Sequence, residues 1–322
     1  MEPLLEVRDL ATYFYTDEGT VKALDGVSFS IGQGEILGLV GETGCGKSVT
    51  ATSIMGLIPS PPGKIVQGSI LFNGRELLSL SEQQMRHIRG KDIAMIFQDP
   101  ASSLNPVLRV GFQVAEAIWA HTGTPIRKGI LRAAELFGLV NIPDPQKTVN
   151  RYPHQLSGGM KQRVMIAMAL SLNPKLLIAD EPTTALDVSI QAQILSLIKR
   201  LQRDYGSSVL LISHDLGVIS TMAHRVAVMY SGLIVEQGRV EDLFQDPLHP
   251  YTKGLLAAIP RVDEDKDELA VIEGTLPNPT DPPSGCRFHP RCSLATDACK
   301  IERPPLKAVK PAHEVACHVY AR

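Results

Sequence analysis

The chain has 322 residues, of which 44% are hydrophobic and 20% charged; this length suits a large core and about two folding units, and the balance excludes long-range disorder, a fibrous repeat or a small stapled scaffold. A formal net charge of -2 supplies no field that would draw the molecule onto nucleic acid or an anionic membrane, so no nucleic-acid partner is expected and other partners must be recognised by shape. There is no apolar run of about 18 residues, and Met1-Glu2-Pro3-Leu4-Leu5-Glu6-Val7-Arg8-Asp9 puts acids where a secretory signal needs a basic then apolar stretch, so a cytosolic chain with a peripheral membrane role is expected.

In chain order, the aromatic cluster Tyr13, Phe14 and Tyr15 follows a first strand near the amino terminus. Glu35-Ile36-Leu37-Gly38-Leu39-Val40 is a short apolar run ending in glycine, which predicts a buried strand feeding a tight turn. The runs 92–97, 175–180, 209–213 and 225–230 are similar and alternate with helical stretches, the pattern of an α/β fold with a mainly parallel sheet. Residues from about 107 to 172 carry helical periodicity and no convincing strand, so a helical insertion is expected there. After Gly238 the prolines crowd, from Pro247 to Pro311, and exclude long helices from most of the tail. A boundary near residue 245 therefore divides a main α/β domain, 1–245, from an extension, 246–322.

Gly41-Glu42-Thr43-Gly44-Cys45-Gly46-Lys47-Ser48 fits G-x-x-x-x-G-K-[ST] between a strand and the helical stretch that starts at Val49. Successive N–H groups in such a bend point at phosphate oxygens, and the following helix adds a partial positive charge. Lys47 is expected to reach the β- and γ-phosphates of ATP, and Ser48 to ligate Mg²⁺. Cys45 fills a free position of the loop; the helix N-terminus should lower its pKa, so that alkylation blocks nucleotide binding and ATP protects the thiol. Asp180 and Glu181 end a buried strand, where α/β sheets bind ligands. Asp180 suits the Mg²⁺ shell, and Glu181 is placed to polarise the attacking water.

Leu156-Ser157-Gly158-Gly159-Met160-Lys161-Gln162-Arg163 resembles the signature motif of ABC ATPases, which P-loop kinases and GTPases do not carry. Ser157 and the N–H groups of Gly158 and Gly159 can form a second phosphate cradle at a helix N-terminus. The resemblance implies that this cradle completes the ATP site of a facing subunit. It also implies a P-loop NTPase fold of ABC type, and roles for single residues. Gln98 would touch Mg²⁺ and the attacking water, His214 would contact the γ-phosphate, Asp187 would cross the dimer interface, and Phe14 would stack on adenine. The nucleotide set is then Phe14, Gly41 through Val49, Gln98, Ser157, Gly158, Gly159, Asp187 and His214.

Cys286, Cys292, Cys299 and Cys317 crowd the tail with spacings x5, x6 and x17. In a reducing compartment such a cluster points to metal before disulfides, either Zn²⁺ or an iron–sulfur cluster. His289, His313 and His318 lie nearby and are expected to be surface bystanders. Leu248-His249-Pro250-Tyr251-Thr252 and Gly285-Cys286-Arg287-Phe288-His289-Pro290-Arg291-Cys292, with Phe97-Gln98-Asp99-Pro100 and Ser103-Leu104-Asn105-Pro106, resemble the ATPase subunits of bacterial oligopeptide and dipeptide importers. That resemblance covers essentially the whole chain. It implies a [4Fe–4S] cluster ahead of zinc, with an empty site third, and peptide uptake ahead of nickel or other small solutes. It further implies a complex at the cytoplasmic face of the plasma membrane, with two transmembrane permease subunits, a second ABC ATPase that is a paralogue rather than a copy, and an extracytoplasmic solute-binding protein. Motion would pass to the permeases through the insertion around Gln98 to Val110. Two rivals are a soluble ABC protein acting on DNA or ribosomes, which would usually bring a basic surface, a coiled coil or a second cassette, and a binding module with a dead site, which would lack some of Lys47, Ser48, Asp180, Glu181 and His214.

Overall fold

A computed structural model describes residues 2–183, 188–258 and 272–320, in two compact units, one of residues 1–79 with 211–322 and the other of residues 80–210. The first unit opens with β1 (Leu5–Thr16), β2 (Gly19–Ile31), β3 (Ile36–Val40), α1 (Lys47–Ile54), β4 (Gly63–Phe72) and β5 (Arg75–Glu76). The second holds α2 (Glu82–Ile88), β6 (Ile93–Ile96), α3 (Pro100–Ser103), α4 (Val110–Thr122), α5 (Ile126–Leu139), α6 (Pro145–Thr148), α7 (Gly158–Ala169), β7 (Leu176–Asp180) and α8 (Val188–Tyr205). Strand β8 (Ser208–Ile212) leads the chain back. Then follow α9 (Leu216–Met222), β9 (Arg225–Tyr230), β10 (Leu233–Arg239), α10 (Val240–Gln245), α11 (Pro250–Ala257), α12 (Asp297–Ile301), β11 (Lys307–Lys310) and β12 (His313–Val315).

Every residue of β3, β7 and β8 is buried, as continuous apolar runs of this length require when both faces of a sheet are covered. In the first unit β3 pairs with β9 in parallel, and in the second β6 pairs with β7 in parallel. The sheet is nevertheless mixed. A short turn joins β9 to β10, which permits only an antiparallel return, and β10, β12 and β11 add on antiparallel in that order. A separate antiparallel sheet, ordered β2-β1-β4-β5, lies in the first unit. In the second, α5 approaches α4 closely because Gly129 faces Ala115, where a Cβ would stand 2.8 Å from the alanine Cβ. Among the described residues no helix is long and apolar enough to cross a membrane.

Burial of a charged group fixes the tail on this frame. Glu236 of β10 is fully buried; its carboxylate accepts the N–H groups of Leu248 at 2.7 Å and His249 at 2.9 Å, and pairs with His313 Nε2 at 2.7 Å. His313 is itself 1% exposed, which corrects its reading as a surface bystander: β12 adds to the sheet edge and carries it inward.

His249 is buried too, and its Nδ1 accepts the Tyr251 N–H that starts α11. Burial lowers its pKa from 6.5 to about 3, because the cation cannot be solvated there. The unfolded chain therefore takes up a proton below pH 6.5 that the folded chain refuses until about pH 3. Stability is complete above pH 6.5 and should fall by about 1.4 kcal/mol per pH unit across that window. Denaturant melts at several pH values should show a shallower acid limb for His249→Asn, which keeps a capping acceptor and does not titrate; an identical slope would exclude this source.

Candidate functional site

The first unit carries the phosphate loop. Strand β3 delivers Val40 to the bend that begins at Gly41, whose φ is +153°. A Cβ there would lie 2.1 Å from the Met229 carbonyl oxygen, so glycine is required by backbone crowding as well as by phosphate approach. Lys47 is buried, and its ammonium donates to the carbonyls of Gly41 at 2.8 Å and Glu42 at 3.0 Å. The charge therefore stands inside the curve of the loop. Thr43, Gly44 and Ser48 are exposed and Val49 is half-buried. Cys45 differs from expectation: its side chain is 1% exposed, and burial pushes the thiol pKa up, with Lys47 opposing less strongly. Desolvation outweighs the helix terminus, so Cys45 is not an activated, accessible nucleophile.

His214 lies in the same unit, exposed, at the junction of β8 and α9. Its neighbours are fixed: the Asp215 carboxylate caps α9 by accepting Gly217 N–H at 2.8 Å and Val218 N–H at 3.2 Å, while Asp215 N–H donates to Ser213 Oγ at 3.0 Å. Of the three aromatics, Tyr13 donates to Asp25 at 2.6 Å. Phe14 is half-buried with its ring edge over Gly63, where a Cβ would meet it at 2.8 Å, and Tyr15 is exposed.

The second unit carries the acids and the signature motif. Asp180 ends β7 and is buried. Glu181 follows in the left-handed region, φ +46°, and its carboxylate accepts Gln98 Nε2 at 3.0 Å. Two residues far apart in sequence, one expected to orient water and the other to act as base, thus meet. Ser157 caps α7, its hydroxyl accepting Met160 N–H at 3.3 Å, and both Ser157 and Gly158 are exposed. This helix terminus is therefore open to solvent. Gln162, to which the sequence reading gave no role, is buried and donates to the Pro182 carbonyl at 2.7 Å. Flanked by Lys161 and Arg163, it gives no sequence signal that separates it from a solvated polar run. Asp187 lies outside the described residues.

The four tail thiols form one neighbourhood. Cys286 is pushed up to about 11, chiefly by burial and further by the thiols of Cys299, Cys317 and Cys292. Burial also raises Cys292 and Cys317. Against this, backbone N–H groups shortly downstream lower the thiol pKa by interacting with sulfur: Phe288 on Cys286, Leu294 on Cys292, and Val319 and Tyr320 on Cys317. Such donors favour the thiolate, the form that binds metal. Among the described residues, however, no three His, Cys, Asp or Glu side chains are gathered to hold one metal ion.

Residues 24–184 match the family described as ABC transporter, and residues 235–299 match the oligopeptide/dipeptide transporter C-terminal region. The chain is 51% identical to the oligopeptide transport ATP-binding protein AppD of Bacillus subtilis, across 99% of this chain and 98% of that one. It is 48% identical to the dipeptide transport ATP-binding protein DppD of Escherichia coli, across 98% and 96%. Among solved structures, a dimeric ATP-binding cassette in a post-hydrolysis state with ADP and phosphate superposes with a TM-score of 0.67 at 27% identity, covering 73% of this chain and 98% of that one.

Proposed function

Because this chain belongs to the ABC transporter family, in its oligopeptide and dipeptide transport ATP-binding branch, we propose that it hydrolyses ATP to power peptide uptake through a membrane complex. The observation that carries the chemistry is Glu181 held by Gln98 beside the buried Asp180, an acid fixed by its neighbours at the end of a strand. Glu181 takes the proton of the attacking water and Gln98 orients it; Lys47 and the N–H groups of Gly41 to Ser48 bind the β- and γ-phosphates, and His214 senses the γ-phosphate. Catalysis of this kind is positioning and electrostatics. Mg²⁺ suits the hard oxygen donors of Ser48, Asp180 and Gln98, and when bound it neutralises phosphate charge. Phe14 stacks on adenine, and Ser157, Gly158, Gly159 and Asp187 serve the nucleotide of a facing ATPase.

For the tail we favour a [4Fe–4S] cluster over zinc. What supports a shared ligand is that burial and the neighbouring thiols of Cys299, Cys317 and Cys292 all act on Cys286; the order of cluster before zinc follows the resemblance to the importer subunits. N–H donors to sulfur suit such a cluster, whose contribution is to cross-link the tail. The complex comprises two transmembrane permease subunits, a second ATPase that is a paralogue, and an extracytoplasmic peptide-binding protein, with this chain at the cytoplasmic face. Purification of the intact complex tests the reading. Peptide-loaded binding protein should stimulate ATP hydrolysis several-fold, and this subunit should carry four irons with visible charge-transfer absorbance, on the order of four for a [4Fe–4S] site. Hydrolysis indifferent to peptide would sink the transport assignment, and stoichiometric zinc without colour would reverse the metal assignment.

A further inference from the structure

Glu42, the second residue of the phosphate loop, is held from outside by two side chains distant in sequence. Its N–H donates to Tyr251 Oη at 2.9 Å, and its carboxylate accepts Arg291 Nη1 at 3.0 Å. Tyr251 is fully buried, and the Arg291 side chain is 6% exposed against 26% for Glu42. The guanidinium is itself held in place: Nε donates to the Glu273 carbonyl at 2.8 Å, Nη2 to the carbonyls of Ile272 at 3.2 Å and Gly274 at 3.3 Å, and Nη1 approaches Tyr230 Oη at 3.4 Å. The rings of Tyr230 and Phe288 lie beneath it, at 5.8 and 6.0 Å. This is a built position for one cation, and the carboxylate it meets belongs to the loop that receives a polyanion.

A carboxylate in a triphosphate loop repels its ligand unless neutralised, and an ion pair this sheltered is only partly screened by salt. We propose that Arg291 is a positioning residue for ATP: it neutralises Glu42 and fixes the second residue of the phosphate loop, so the carboxyl-terminal extension sets the affinity of the nucleotide site. The inference rests on the reading of Gly41 to Ser48 as the ATP loop. Arg291 acts before and throughout the reaction alike, so its loss should weaken ground-state and transition-state binding together and appear in KM rather than kcat.

The test uses the intact complex. Arg291→Gln should raise KM and Kd for ATP about tenfold, roughly 1.4 kcal/mol, with kcat changed less than about twofold. Arg291→Lys, which keeps the charge, should recover most of the loss. The decisive arm is Arg291→Gln with Glu42→Gln: removing the bare carboxylate should return Kd to within about threefold of the unaltered protein, which a merely structural defect would not allow. If Arg291→Gln does not fold, Glu42→Gln alone, with Arg291 left in excess, should tighten ATP by about threefold; unchanged or weaker binding there overturns the inference. Unaltered protein that fails to bind ATP would refute the loop assignment itself. Normal binding by the unaltered protein, with Arg291→Gln equal to it or the double variant as weak as Arg291→Gln, overturns the role of Arg291 alone.

Discussion

Glu181→Gln is expected to lower ATP turnover by on the order of 10² to 10⁴ while leaving ATP binding largely intact. The carboxylate sits immediately after β7 in the left-handed region and accepts Gln98 Nε2 at 3.0 Å. A glutamine there has the same shape, and its amide oxygen can accept the same hydrogen bond, so the local geometry survives. What is lost is the ability to take a proton, which is needed in the transition state and not in the complex before it. Single-turnover hydrolysis beside equilibrium binding of ATP separates the two. Turnover within about threefold of the unaltered protein would remove Glu181 from the chemistry.

The second large effect concerns stability. His313→Ala should destabilise the chain by about 1 to 3 kcal/mol, the cost of depriving a buried carboxyl group of one hydrogen-bond partner. Glu236 is fully buried and would keep only the N–H groups of Leu248 and His249 from the contacts described above. The loss should appear as a lower denaturant midpoint. A change below about 0.5 kcal/mol, the scale of an ordinary surface substitution, would show that solvent reaches Glu236 freely.

What could be read from sequence follows from how each feature is built. Strands β3, β6, β7, β8 and β9 are legible because burial on both faces makes each a compact apolar run. Strand β1 is legible only in part: Arg8 and Asp9 interrupt it where the register shifts and Asp9 adopts φ +46°, a bulge that erases the alternation marking a strand, so Tyr13, Phe14 and Tyr15, expected after the strand, lie within it. The Gly41 to Ser48 and Ser157 to Gly159 motifs are legible because each is made of consecutive residues. Gln98 was reachable only through resemblance, as its partner Glu181 lies 83 positions away. Arg291 and Tyr251, which hold Glu42 from 249 and 209 positions away, carry no local signal at all.

Two misreadings share a cause. Cys45 was judged by the helix beside it and His313 by the prolines around it, yet each is 1% exposed. In both, burial decides the chemistry, and burial is set by tertiary packing rather than by neighbours in the chain. The four tail thiols show the complementary case: their crowding is evident from spacing, whereas the burial that raises three of them depends on packing that composition does not reveal.

The grip of Gln162 on the Pro182 carbonyl has a mechanical consequence. Ser157 opens α7, and Gln162 lies little more than one helical turn along it, a stretch stiffened by its own hydrogen bonds. Pro182 adjoins Glu181 and has a locked φ, so little torsional slack separates them. The open end of the helix is thereby tied to Glu181 of the same chain through a short linkage of few free torsions.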